Sequence, residues 1–297
     1  MKNKEQKQKY IYTTTSLNRI PFWMPTSKIS KNKNIIWKNK YGEIKIESST
    51  CINQTHRNVV DGILAIYRKK RINDDQSIDF LFSLSELKNF IRISHSRYIN
   101  QKIEEMMRAI IITKIYQINP NAFIINREQM IWRFEEFSVN VEWAIDVAAT
   151  QKIRRLNSDK TIYLYFIKFS PLFVKLFLRD TILFSFDRKT FRNNIKAILD
   201  LQDNKIQAFV RFCLTLKEGT RWNTEFVLQQ IAILDKERKH SSAYRKAKSV
   251  MLAKLRDKKK ELQDFGIYFE SDFKNFSIKE RNKIYKFYFA SPKETLH

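Results

Sequence analysis

The sequence predicts an α+β protein made of two like units in tandem, and three observations predict it. Runs with helical spacing alternate along the chain with short β-branched and aromatic runs. The order of these elements, a long helix, two helices and then a β-hairpin, comes twice. The last helix of the second set is strongly basic: from Lys236 to Lys260 there are 11 Lys or Arg against Glu237 and Asp257. Two helices joined by a tight break and followed by a hairpin make a winged helix, so two tandem winged-helix domains are expected. Residues 1–33 read as a basic N-terminal tail, 34–147 as the first domain, 148–160 as a polar linker and 161–297 as the second domain. The repeat is one of architecture, without a residue-level repeat.

In the first unit, Pro21 and Pro25 flank Phe22, Trp23 and Met24, which suits a short extended piece packed through those three residues. Ile35–Trp37 and Ile44–Ile46 read as two strands joined through Asn39 to Gly42. Thr55 is the expected cap of a helix whose apolar face is Val59, Val60, Ile63, Leu64 and Tyr67, ending in the charged run Arg68 to Arg71. Phe80–Phe82 is a short strand. Ser83 and Glu86 form a capping-box pattern that opens a helix burying Leu84, Leu87, Phe90 and Ile91. After Ser94 or Ser96 comes the next helix, with Ile99, Ile103, Met106 and Ile110 inward and Arg97, Asn100, Gln101 and Arg108 outward. Ile111–Ile118 and Gln129–Phe137, around the turn signal Asn119-Pro120-Asn121, are the expected hairpin wing.

In the second unit, Ile162–Phe169 reads as a strand, Ser170-Pro171 opens a helix through Leu178, and Ile182–Phe186 is strand-like. A helix from about Asp203 to Leu216 carries Ile206, Phe209, Val210 and Cys213 on one face. Asn223 or Thr224 caps the next, with Phe226, Val227, Ile231 and Leu234 spaced for burial. Ser241 or Ser242 then caps a long helix to about Asp264, with Ala247, Met251, Leu255 and Leu262 on one face and Val250 at its edge. Gly266 stops it, and Ile267–Glu270 and Ile284–Phe289 are the closing strands.

Composition points to a polyanionic partner. Lys+Arg 56 against Asp+Glu 31 leaves a net charge of +25. No apolar run approaches the ~20 residues of a membrane span, and the first residues, MKNKEQKQK, lack the apolar core of a secretory signal. Cys51 and Cys213 are far apart and suit a reducing cytoplasm. Double-stranded DNA is therefore the expected partner, with no membrane and no cofactor. The basic helix supplies the means: its first turns hold Ser241, Ser242, Arg245, Lys246, Lys248 and Ser249, a helix fits the major groove, and cations meet the phosphates beside it. The bland alternative is a solvated charged helix.

Catalysis finds little support. Gly42, Gly62, Gly219 and Gly266 are scattered, so there is no phosphate-cradling loop. His56, His95, His240 and His297 have no metal-ligand spacing. The acid pairs Asp74-Asp75, Glu104-Glu105 and Glu135-Glu136 are sequence neighbours that point to different sides of any regular element. No enzyme activity and no metal site are expected. The cluster from Phe166 to Phe186 is read as core rather than as a base-stacking platform.

With those elements in place the chain resembles, from about Ile35 to Phe289, the plasmid replication initiators of the iteron-binding Rep/TrfA type. The likeness is clearest in KIQAFVRFC, NTEFVLQQIAIL and SSAYRKAKSVMLAKLRDKKKELQDFGIYFE, and again in IIWKNKYGEIKIESSTCINQTHRNVVDGILAIY. It implies a binder of direct repeats at a replication origin, with the second domain making the dominant contact through Ser241, Ser242, Arg245, Lys246, Lys248 and Ser249. The first domain would add contacts through Arg97, Tyr98, Asn100, Gln101 and Arg108 and take part in a homodimer. A host replicative helicase and a host initiator are the implied protein partners. The first reading helix departs from the pattern by carrying Glu104 and Glu105, which fits an auxiliary role. A winged-helix transcriptional regulator is the alternative on the same fold.

Overall fold

The computed structural model describes residues 10–14, 18–19, 23–25, 35–38, 42–46, 52–66, 78–88, 90–91, 95–107, 110–115, 138–142, 150–154, 161–169, 181–185 and 195–279. Helices and antiparallel sheets are mixed throughout, an α+β arrangement. The first half holds strands β1 (Tyr10–Thr14), β2 (Ile35–Lys38) and β3 (Gly42–Ile46), then helix α1 (Gln54–Ile66) and strand β4 (Ile78–Ser83). Helices α2 (Leu84–Lys88) and α3 (Ser96–Met107) follow, then strands β5 (Ile110–Ile115), β6 (Ser138–Glu142), β7 (Thr150–Arg154), β8 (Thr161–Phe169) and β9 (Thr181–Ser185). The second half runs α4 (Ile195–Asp200), α5 (Asn204–Cys213), β10 (Arg221–Asn223) and α6 (Thr224–Gln230). After a 3-10 turn at Lys236–Arg238 come α7 (Ser242–Asp257), α8 (Lys259–Asp264), β11 (Ile267–Phe269) and β12 (Asn275–Ile278).

The second half shows most directly how sequence becomes structure. Asp203 opens α5 by accepting from the backbone N–H groups of Lys205 and Ile206 at 2.8 and 3.1 Å. The face it then buries is the expected one, Ile206, Phe209, Val210 and Cys213. Asn223 caps α6 through its side-chain oxygen to Phe226 N–H at 2.9 Å, and Val227, Leu228, Ile231 and Leu234 turn inward. Strands β10, β12 and β11 lie in that order, antiparallel, with Trp222 opposite Phe276 and Phe269 opposite Phe276. Phe276 packs edge-on to Phe209, ring centroids 5.4 Å apart, which seats the sheet on α5. Gly266 has φ +75 and a Cβ there would meet Lys279 O at 2.6 Å, so the reversal between α8 and β11 admits only glycine.

The first half repeats this plan. Helix α1 is followed by β4, α2, α3 and the hairpin β7–β8, and the sheet order is β4-β8-β7, again first, third, second. Ser83 accepts from Glu86 N–H at 3.1 Å at the start of α2, as the capping-box pattern requires. Gly62 lets α1 come close: a Cβ there would lie 2.6 Å from Ile91 Cγ2 and 2.7 Å from Leu87 Cδ1. Buried Val59, Val60, Ile63, Phe80, Phe82, Leu87, Ile91, Ile99 and Ile103 form this half's share of the core.

Several expectations are corrected. Helix α1 is capped by Asn53, which accepts from Thr55 N–H at 3.0 Å, so Thr55 sits inside the first turn. Ile110 starts β5 instead of closing the inner face of α3, and β5 pairs with β3 and β6 in a four-stranded sheet β2-β3-β5-β6. That sheet is additional to the repeated order, and the hairpin whose strand pairs with β4 is β7–β8. Strand β7 lies in the stretch 148–160, expected as a linker; it pairs with β8 from Thr150 opposite Tyr165 to Arg154 opposite Thr161. Strand β8, expected to open the second domain, also pairs with β4. Tyr10–Thr14, in the expected tail, is a strand on β9. The basic helix breaks at Lys258, and the strand that closes its hairpin is Asn275–Ile278. Arg68–Arg71, Gln129–Phe137, Ser170–Leu178 and Ile284–Phe289 lie outside the described residues.

Where the halves meet, α1 and α5 share a buried polar cluster. Arg211 donates to Gln54 Oε1 at 2.7 Å, Asn58 Oδ1 at 2.8 Å and Asp61 Oδ2 at 2.8 Å, while Arg57 Nε donates to Asp61 Oδ1 at 2.8 Å. Burial, with Arg57 beside it, brings the Arg211 guanidinium down to about 10 against the opposing pull of Asp61.

Candidate functional site

Helix α7 is placed by its start, its buried side and two ion pairs. Ser241 Oγ accepts from Tyr244 N–H at 3.1 Å and donates to Arg238 O at 2.8 Å, so this hydroxyl caps α7. Tyr244, Met251 and Leu255 are the buried side, and Ala247 is half-buried against the core. Tyr244 was missed as a core residue because a phenol in a polar stretch gives no apolar signal. Its hydroxyl donates to Glu225 Oε1 at 2.6 Å and accepts from Gln229 Nε2 at 2.7 Å, and burial followed by that carboxylate pushes it up to about 12. Lys248 pairs with the same Glu225, and Lys254 pairs with Asp203. Burial opposes the charge on Glu225, but Lys248 and Tyr244 outweigh it and hold the carboxyl below its ordinary value.

These contacts sort the predicted residues. Ser242, Arg245, Lys246 and Ser249 are exposed and lie together away from the core. Lys248 is turned back onto α6, which removes it from that group, and Ser241 is its cap. Sequence reasoning did not include Ala253 and Arg256, which are exposed further along α7. Arg256 also stacks over the Phe273 ring at 5.5 Å, linking α7 to the β11–β12 loop. The 3-10 turn before α7 adds exposed Lys236, Arg238 and Lys239, of which Arg238 pairs with Asp235 at 3.4 Å. The hairpin is closer to neutral: Arg221 pairs with Glu270 at 2.6 Å and Lys274 with Asp272 at 3.3 Å. Among the described residues of the second half, α7 and the turn before it are therefore more cationic than the hairpin.

On α3 the picture is different. Arg97 and Tyr98 are exposed, with Lys102 Nζ over the Tyr98 ring at 5.2 Å. Asn100 accepts from the Tyr165 hydroxyl, and Gln101 donates to Glu105 Oε1 at 2.8 Å, so two of the predicted contacts are engaged within the molecule. Arg108 lies outside the described residues. Glu105 also takes Lys102 at 2.6 Å and His56 Nε2 at 2.7 Å, which fixes α3 against α1.

His56 is buried, and its Nδ1 accepts from Asn53 N–H at 3.1 Å. Burial, with Lys102 nearby, pushes the imidazole from 6.5 down to about 4 in spite of the Glu105 hydrogen bond. Because the folded value lies below the unfolded one, the unfolded chain binds more protons as pH falls through 6.5. Stability should therefore drop between pH 6.5 and 4.5, by at most about 1.4 kcal/mol per pH unit. Urea midpoints at several pH values check this, and His56→Gln should flatten the dependence in that window. A native midpoint that is constant from pH 7 to 4.5 would contradict it.

Among the described residues no group of three His, Cys, Asp or Glu is placed to hold a metal ion, and no helix is long and apolar enough to cross a membrane. Comparison with known proteins finds no matching family model, no matching curated protein and no matching solved structure.

Proposed function

We propose that the chain is a sequence-specific double-stranded DNA-binding protein of two tandem winged-helix domains, and that it initiates replication by binding repeated sites at a plasmid origin. The observation that carries the DNA reading is the exposed face of α7, where Ser242, Arg245, Lys246 and Ser249 project from the second helix of a helix-turn-helix. The repeated strand order, β4-β8-β7 and β10-β12-β11, supports two winged helices. In this reading α7 lies in the major groove, Arg245 and Lys246 reach bases and phosphates, and the short side chains of Ser242 and Ser249 let the backbone come close. Helix α3, with Glu104 and Glu105 among its charges, has an auxiliary role. The replication role rests on the resemblance described above.

Binding to duplex DNA should fall steeply with salt. Neutralising about four phosphates would weaken binding on the order of a hundredfold between 50 and 200 mM salt. A titration across that range that leaves the constant nearly unchanged overturns the electrostatic part of the proposal. The initiator role is tested with the DNA beside the gene. Tandem direct repeats of about two helical turns each that bind the protein, and that sustain a plasmid only when the chain is supplied, support it. Binding to a single inverted repeat over a promoter, with no plasmid maintenance, would make the protein a regulator instead.

A further inference from the structure

We infer that Val250 reads a thymine through its 5-methyl group, so that the site recognised by α7 contains an A·T pair fixed by an apolar contact. The inference rests on the proposed DNA reading and deepens it.

Val250 is 45% exposed, ahead of Leu81 at 44% and Tyr98 at 38% among the large apolar side chains described as exposed. It does not belong to the buried side of α7, which is filled by Tyr244, Met251 and Leu255. Nor is it a favourable surface choice, since a β-branched side chain lowers helix propensity. Its surroundings are those of the cationic face. Lys246 lies one turn before it, Ser249 beside it and Ala253 one turn after, all exposed.

The face is chemically divided around the helix. At 3.6 residues per turn, Ser242, Lys246, Ser249 and Ala253 form its centre line. Arg245 and Arg256 fall on one flank, and Ala243 and Val250 on the other, which beyond Val250 also carries Lys254, paired with Asp203, and Asp257 two turns on. The arginine flank suits guanine edges and phosphates. Ala243 and Val250, in the first half of that flank, offer no hydrogen bond, and the one apolar group that the base edges of the major groove present is the thymine 5-methyl. The small side chains along the centre line allow the close approach such a methyl contact needs.

The test uses duplexes selected by the full chain from a random-sequence pool. In the selected duplex each thymine is replaced in turn by deoxyuridine, which removes only the methyl. At one or two positions the native protein should lose roughly three- to fivefold in affinity, the worth of about one buried methyl group. Val250→Ala, a change that favours the helix, should bind the thymine duplex more weakly by a similar factor and show no further loss with deoxyuridine. Thermal melts check that the variant is folded. If the native protein binds every deoxyuridine duplex as tightly as the parent, the inference is wrong. It is equally wrong if Val250→Ala keeps the thymine preference. If the pool yields no preferred duplex at all, the DNA reading itself fails and takes this inference with it. A preferred duplex without thymine dependence removes this inference alone.

Discussion

An Asp61→Ala variant is expected to lose about 3–5 kcal/mol of folding stability, the effect of leaving buried charges without a counter-charge. Asp61 is fully buried on α1 and accepts from Arg57 Nε and Arg211 Nη2, both at 2.8 Å. Removing it leaves the two buried guanidiniums without the carboxylate between them. The loss should exceed that of Arg211→Met, because the latter leaves the Arg57–Asp61 pair intact and fills the space with an apolar chain. Asp61→Asn, which keeps an acceptor but not the charge, should fall between. Urea midpoints with unchanged slopes are the measurement. An Asp61→Ala loss below about 1 kcal/mol, or a larger loss in Arg211→Met, would mean that volume rather than charge pairing dominates this interface.

That cluster also shows which parts of the molecule were legible in the sequence. Short-range features were. Asn223, Ser241 and Ser83 with Glu86 are caps whose partners lie within three residues, so the signal and the structure share one window. The apolar face of α5 was legible for the same reason; on α6 Val227, Ile231 and Leu234 were, while Leu228 is buried in place of Phe226, which is half-buried against the core. Long-range pairing was not. Asp61 and Arg211 are 150 residues apart, and Lys248 and Glu225 are 23 apart, so neither pairing is written in local spacing. Strand β7 reads Thr-Gln-Lys-Ile-Arg, too polar to announce a strand; its alignment along β8 makes it one. Strand β12 is only Asn-Phe-Ser-Ile, with Phe276 and Ile278 buried in alternation, too short and too polar to announce a strand. At the candidate site the same limit applied. Residue type suggested Lys248 as a contact, and only the three-dimensional arrangement shows it to be the ion-pair partner of Glu225; of the two candidate caps, Ser241 and Ser242, the structure selects Ser241.

Ser241 and Lys248 are engaged within the molecule, which sharpens the expectation for the other residues of the face. Arg245→Ala with Lys246→Ala should weaken binding to a selected duplex on the order of a hundredfold, since one arginine–guanine contact alone is worth about 1–3 kcal/mol. Arg245→Ala by itself should lose roughly tenfold. Both side chains are exposed and point away from Met251 and Leu255, so thermal melts should scarcely move. Lys248→Ala should behave in the opposite way. Its ammonium already serves Glu225, so DNA affinity should change little while the α6–α7 contact loosens. Arg97→Ala should also lose less than Arg245→Ala, because Glu104 and Glu105 lower the positive potential along α3. Anisotropy titrations of the four variants at one salt concentration order these effects. If Arg97→Ala abolishes binding while the Arg245/Lys246 double variant binds like the native chain, α3 and not α7 is the principal reading helix. If Lys248→Ala matches the double variant in affinity, its ion pair with Glu225 gives way to phosphate on binding, and the cationic face of α7 extends one step further round the helix than its unbound geometry indicates.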